Sequence, residues 1–138
     1  MNMMKLEFLS NSENERFARS VIAAFVLELD PTVQEMSEIK TAVSEAVTNA
    51  IIHGYGEDVG KIAMEAMIRE DMVEIKISDR GKGIEDIELA MEPMYTEAPE
   101  AERSGLGFTI MQSFMDEIEV ESVSGRGTRV IMRKRVKR

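Results

Sequence analysis

The chain has 138 residues, no cysteine, one histidine, no tryptophan and a formal net charge of −9. That length suits one domain with a core of its own. The missing cysteine excludes disulfides, thiolate zinc and a cysteine nucleophile. Five of the 17 basic residues fall in the last six positions, which leaves 12 basic against 26 acidic residues, a charge of −14, in the remainder. Such a body repels nucleic acid, and the tail Arg133-Lys-Arg-Val-Lys-Arg138 reads as a solvated terminal end. No apolar run approaches the roughly 20 residues that span a bilayer, and the longest, Val21 to Leu27, lacks the flanks of a signal peptide. A cytoplasmic protein is the expectation.

Lys5 to Leu9 alternates and predicts a short strand. Ser12-Glu-Asn-Glu15 offers a capping box for a helix whose apolar face is Phe17, Val21, Ala24 and Phe25. Asp30-Pro31 stops that helix, since proline disfavours the α conformation in the residue before it. Thr32-Val-Gln-Glu35 offers a second capping box, opening a helix to about His53, with Gly54-Tyr-Gly56 as its stop. Strands over Ile62–Ile68 and Met72–Ile77 follow, joined by a turn near Glu70-Asp71. From about Ile84 to Arg103 there is little periodicity, as in a functional lid or a disordered loop. Gly107 to Met115 reads as a helix, Ile118 to Ser122 as a strand, Gly125-Arg-Gly127 as a turn, and Thr128 to Met132 as a last strand. No repeat or linker interrupts the series. The expectation is a single α+β domain, with helices on one face of a mostly antiparallel sheet.

Three segments carry candidate chemistry. At roughly 100° per residue, Met36, Ile39, Val43, Val47 and Ala50 form one stripe of the second helix. Glu45 and Asn49 lie nearly opposite it, about 40° apart on the same estimate. They read either as a solvated polar face or as a working pair, the amide a hard ligand suited to Mg²⁺ and the carboxylate a proton acceptor. Asp79, in Asp79-Arg-Gly-Lys-Gly83, ends a strand. It reads either as part of an ordinary Asp-Gly turn or as an acceptor for an exocyclic amine such as adenine's, with Gly81 and Gly83 letting backbone approach a flat base. Arg103-Ser-Gly-Leu-Gly107 opens a helix, where free N–H groups and a guanidinium suit phosphate. The other two Gly-x-Gly pairs, 54–56 and 125–127, read as a helix stop and a hairpin turn. No P-loop occurs. His53 reads as a helix-end residue donating to a carbonyl rather than a phosphoacceptor.

In this order the motifs resemble the GHKL superfamily of ATPases and kinases. Ser44-Glu-Ala-Val-Thr-Asn-Ala-Ile-Ile-His-Gly54 is similar to its N box, Asp79 to Ile84 to its first glycine box and Gly105-Leu-Gly107 to its second. Ser12 to Arg19, Glu38 to Val43, Glu102 to Met111 and Phe114 to Glu117 resemble, more closely, the anti-sigma-F factor family of endospore-forming bacteria, over nearly the whole chain. The resemblance implies a two-layer α/β sandwich of the Bergerat type with an ATP lid. It implies a serine kinase that binds and inhibits a sporulation sigma factor and phosphorylates an anti-anti-sigma protein, using ATP and Mg²⁺ and acting as a homodimer. A general stress-response paralogue, or an ATP-gated sigma-binding module without catalysis, are the alternative readings. By the same resemblance Glu45 takes the serine proton and Asn49 ligates Mg²⁺. Asp79 binds the adenine amine, with Thr128 assisting through water. Gly81, Gly83, Gly105 and Gly107 shape the pocket, and Arg103 and Ser104 contact the phosphates. The first helix, with Arg19, is a partner-docking surface. The family's lid commonly has threonine and lysine where this chain has Glu97 and Ala98, which replaces a cation with an acid. Arg80 and Lys82 add basic charge inside the first glycine box.

Overall fold

The computed structural model describes residues 1–84, 91 and 107–136. Within them, five strands form one antiparallel sheet: β1 (Asn2–Leu9), β2 (Lys61–Arg69), β3 (Met72–Asp79), β4 (Glu117–Val123) and β5 (Gly127–Arg135), in spatial order β1-β2-β3-β5-β4. Three α-helices, α1 (Glu13–Val26), α2 (Val33–Asn49) and α3 (Gly107–Phe114), provide the second layer, with α2 between α1 and α3.

Alternation fixes which face of the sheet is covered. Ile62, Met64, Ala66 and Ile68 of β2 and Val73, Ile75 and Ile77 of β3 are buried, while the residues of opposite phase are not. A strand's side chains point to alternate faces, so one phase meets the helices. The core forms where these residues meet Ala18, Ile22, Val26, Ile39, Val43 and Val47.

The Thr32 capping box forms as expected: its hydroxyl accepts the Glu35 N–H at 3.0 Å, and the Glu35 carboxylate accepts the Thr32 N–H at 2.9 Å. The Ser12 box does not form. Ser12 is already helical (φ −59°, ψ −33°), so its side chain is not placed to cap. Its intended partner Glu15 instead accepts a 2.6 Å hydrogen bond from Ser44 on α2 and pairs with Arg19 at 3.7 Å.

The buried stripe of α1 is Ala18, Ile22 and Val26, one position round from the expected face, and Phe17 is half exposed. Docking against α2 selects the small Ala18 for close approach and leaves the larger ring at the rim. Asp30 ends the first helical segment in the left-handed region (φ 51°), after a 3₁₀ turn over Leu27–Leu29. The second helix does not stay α to His53. It is α to Asn49 and π from Ala50 to Tyr55, where the Gly56 N–H reaches back to the Ile51 carbonyl at 3.0 Å.

The basic end of the chain is not a solvated tail as far as residue 136. β5 runs to Arg135 between β3 and β4, and its cations meet the acids of its neighbours. Arg133 contacts Glu74 at 2.7 Å, Glu117 at 3.1 Å and Glu119 at 2.6 Å. Lys134 is buried, donating to the Phe114 carbonyl at 2.7 Å at the end of α3 and pairing with Glu38 at 3.3 Å. Arg135 pairs with Asp71. Local charge density suggested a free end, but β pairing brings carboxylates from distant positions alongside. Arg133→Ala is expected to lower stability by roughly 1 kcal/mol, the scale of one good partly screened ion-pair cluster. Urea denaturation in low and molar salt checks this, since the difference between the two proteins should narrow as salt screens the pairs.

Candidate functional site

The same alternation that buries the core of β3 turns its last residue inward. Asp79 has the phase of Val73, Ile75 and Ile77 and is 9% exposed. Register places it opposite Ile62 on β2 and Thr128 on β5, and Thr128 opposite Ser122 on β4. The inner face of the sheet is therefore apolar along most of its length and ends in a polar row, Asp79–Thr128–Ser122. The row is hydrogen-bonded: Ser122 Oγ lies 2.9 Å from Thr128 Oγ1, donates to the Gly127 carbonyl at 3.0 Å and accepts the Ile84 N–H at 2.7 Å.

Asp79 Oδ1 accepts the Gly81 N–H at 2.8 Å. Burial raises its pKa above the ordinary value of 3.8, opposed by the backbone N–H groups of Gly81 and Thr128. An inward carboxylate at a sheet end, with only backbone donors, has acceptor capacity left for a ligand amine.

Glycines make the space around it. A Cβ on Gly54 would lie 2.8 Å from Asp79 Oδ1, one on Gly81 1.9 Å from the Gly54 carbonyl oxygen, and one on Gly127 2.1 Å from the Asp79 carbonyl oxygen. Gly83 combines a φ of 76° with a Cβ position 2.3 Å from the Val123 carbonyl oxygen. The first glycine segment is thus wedged between the π turn and the β4–β5 hairpin. The Lys82 N–H donates to the Gly54 carbonyl at 2.9 Å, which the π turn presents. π turns inside helices recur at functional sites.

Glu45 and Asn49 do share a face, and that face is not a solvated one. Both are half-buried, and both reach Gly107 at the start of α3: a Cβ there would sit 3.1 Å from Asn49 Nδ2 and 3.4 Å from Glu45 Oε2. Glycine at 107 lets the start of α3 come close to both the amide and the carboxylate. Arg103, Ser104 and Gly105 lie outside the described residues, as do Glu97 and Ala98. Arg19 stands on α1 between two open clefts, of about 480 and 360 Å³, at the α1–α2 surface.

The structure brings Asp79, Gly81, Gly83 and Thr128 together at the sheet end, and Glu45, Asn49 and Gly107 where α2 meets α3. Four contributors escaped the sequence reading: Gly54, Tyr55, Ser122 and Gly127. Gly54 reads as part of a helix stop and Gly127 as part of a hairpin turn, but Gly54 lies inside the π turn, Gly127 begins β5, and both approach Asp79 closely. Ser122 had a signal in the alternation of β4, which puts it in phase with Ile118 and Val120.

The donor set fits an adenine nucleotide: a buried carboxylate acceptor, a cradle of glycines where any Cβ would intrude, and an amide oxygen able to meet a hard cation. Among the described residues no three acidic or histidine side chains cluster as a metal cage.

Comparison with known proteins agrees. The family described as the histidine kinase-like ATPase domain matches residues 8–134. Among solved structures, the RsbU and RsbW domains of Rv1364c from Mycobacterium tuberculosis superpose with a TM-score of 0.73 at 20% identity, over 100% of this chain and 33% of that longer one. The catalytic domain of the histidine kinase ThkA gives 0.61 at 19% identity, over 99% of this chain and 97% of that one. At such identities these are likenesses of fold alone; the class, a histidine kinase-like ATPase domain, is given by the family match. Nearer in sequence are proteins called anti-sigma F factor. That of Thermoanaerobacter sp. (strain X514) is 59% identical over 96% of this chain and 93% of its own. That of Clostridium beijerinckii is 57% identical over 97% and 94%. The chain belongs to the anti-sigma F factor family, within the histidine kinase-like ATPases.

Proposed function

We propose that this protein, a single domain over residues 1–138, is an anti-sigma factor that binds and inhibits a sporulation sigma factor. As an ATP-dependent serine kinase it also phosphorylates an anti-anti-sigma protein. The observation that carries the catalytic half is the Glu45–Asn49 pair, half-buried on one face of α2 and closely approached by Gly107 at the start of α3. The partner half rests on the family: relatives named anti-sigma F factor match nearly end to end.

Phosphoryl transfer is mainly positioning and charge stabilisation, so a small inventory suffices. The Asp79 carboxylate accepts the adenine amine, with Thr128 assisting through water, and the glycines at 81, 83, 105 and 107 keep backbone close to the nucleotide. Arg103 and Ser104 hold the phosphates. Asn49 holds Mg²⁺, which when bound supplies positive charge to the phosphate oxygens. Glu45 takes the proton as the partner's serine hydroxyl attacks the terminal phosphorus. The P–O bond to the leaving ADP then breaks. The products are ADP and a phosphoserine on the partner.

The α1 surface around Arg19 is the proposed docking face for protein partners, and a homodimer in the cytoplasm is the proposed working form. Among the described residues no helix is long and apolar enough to cross a membrane. Pull-down of the sigma factor and the anti-anti-sigma protein in ATP and in ADP tests the partner half. Retention of the sigma factor with ATP supports it, and no retention in either nucleotide refutes it.

A further inference from the structure

Tyr55 closes the π turn, and its ring packs partly on the core. Its hydroxyl does something more specific. It accepts the Arg80 backbone N–H at 2.8 Å and donates to the Lys61 carbonyl at 2.5 Å. The ladder between β2 and β3 reaches its end at the pair Ile62–Asp79. Arg80 is the first residue past that pair on one strand, and Lys61 the residue just before it on the other. The phenol therefore continues the ladder by one rung, made by a side chain, at the residue that follows Asp79.

The ring has a prepared seat. A Cβ on Gly60 would come within 2.2 Å of Tyr55 Cε1, so the ring lies where only glycine leaves room. Further along the same segment, the Gly81 N–H binds Asp79 Oδ1 at 2.8 Å and the Lys82 N–H binds the Gly54 carbonyl at 2.9 Å. Successive amides at 80, 81 and 82 are each tied to something, and Tyr55 supplies the first tie. Losing it would loosen the peptide that joins Asp79 to the glycine segment and, through the Gly81 N–H on that segment, the carboxylate it holds; the Thr128 N–H would remain.

We propose that Tyr55 is a positioning residue for base recognition, its hydroxyl bridge between Arg80 and Lys61 fixing the direction of the Asp79 carboxylate so that preference for a 6-amino purine depends on it. This rests on reading Asp79 as the adenine acceptor. It adds a residue that touches no part of the nucleotide and acts through backbone.

The test is equilibrium binding of ATP and of inosine triphosphate, which carries a carbonyl in place of the 6-amino group. Wild-type and Tyr55→Phe protein are compared, with thermal melts alongside. Wild-type protein is expected to favour ATP by about tenfold or more, the scale of a hydrogen bond to a charged acceptor. In Tyr55→Phe, ATP binding should weaken by roughly five- to tenfold while inosine triphosphate binding holds, so the ratio shrinks. Gly60→Ala, which unseats the ring without removing the hydroxyl, should shrink the ratio too. In an Asp79→Asn background Tyr55→Phe should no longer change it. An unchanged ratio in Tyr55→Phe, whether both affinities hold or both fall together, overturns the proposal and leaves Tyr55 a general packing residue. Absence of any preference in wild-type protein overturns the reading of Asp79 and this inference with it. The two failures are told apart because one is seen only in the variant.

Discussion

Glu45→Gln is expected to cut phosphoryl transfer by roughly 10²- to 10⁴-fold, the usual contribution of a positioned general base, with ATP affinity within about twofold of wild type. The glutamine keeps the shape and polarity that Glu45 presents beside Asn49 and Gly107, so the meeting of α2 and α3 is preserved. What it loses is the carboxylate that, on the proposed mechanism, takes the serine proton. Single-turnover transfer from labelled ATP, with nucleotide binding measured separately, resolves the two effects. A variant that transfers normally would remove Glu45 from the chemistry. A wild type that binds ATP and sigma factor without transfer would favour the ATP-gated binding module.

Asp79→Asn should have the opposite profile, with nucleotide binding lost and the fold kept. Loss of a charged acceptor for the adenine amine weakens ATP by roughly 10- to 150-fold, from about 1.5–3 kcal/mol for a hydrogen bond to a charged group. Stability should not follow. Burial raises the Asp79 pKa in the folded protein, so the folded state holds its proton more firmly than the unfolded chain does. By linkage, stability declines as pH rises from the unfolded value near 3.8 through the raised folded value, and this group adds no further slope above that. Asparagine is free of that ionisation cost, so at neutral pH the variant should be about as stable as wild type, and the slope should vanish from its curve. ATP affinity of the wild type should fall on acidification through the raised pKa, because the amine needs the ionised acceptor. Calorimetric ATP titrations and denaturant curves over the same pH series check both halves. A variant that binds ATP normally contradicts the assignment.

Most strands were legible because period-2 alternation is local, and Val73, Ile75 and Ile77 announced both a strand and its buried face. Carrying that phase two residues further turns Asp79 inward, so the central carboxylate could be read from the pattern. Glu45 and Asn49 were legible as a shared face by helical arithmetic, but not what that face meets, since Gly107 is 58 residues beyond Asn49. The α1 face was misjudged because periodicity alone does not say whether Phe17 or Ala18 suits close packing on α2. The Ser12 box failed because Glu15 has a tertiary competitor in Ser44, whereas Thr32 and Glu35 do meet each other locally. The tail looked free because Arg133 meets Glu74 only through the β3–β5 register. The contributions of Tyr55, Gly54 and Gly127 likewise depend on register and on the π turn, neither of which leaves a mark in local sequence; Ser122 was legible only as one phase of β4.

The most direct measurement incubates the protein with labelled ATP, Mg²⁺ and the anti-anti-sigma protein and identifies the phosphorylated residue by mass spectrometry. The expected result is one phosphate on a serine of the partner, absent with Glu45→Gln. ATP bound with no phosphate on the partner, or phosphate found on His53 of this chain, would contradict the serine-kinase assignment.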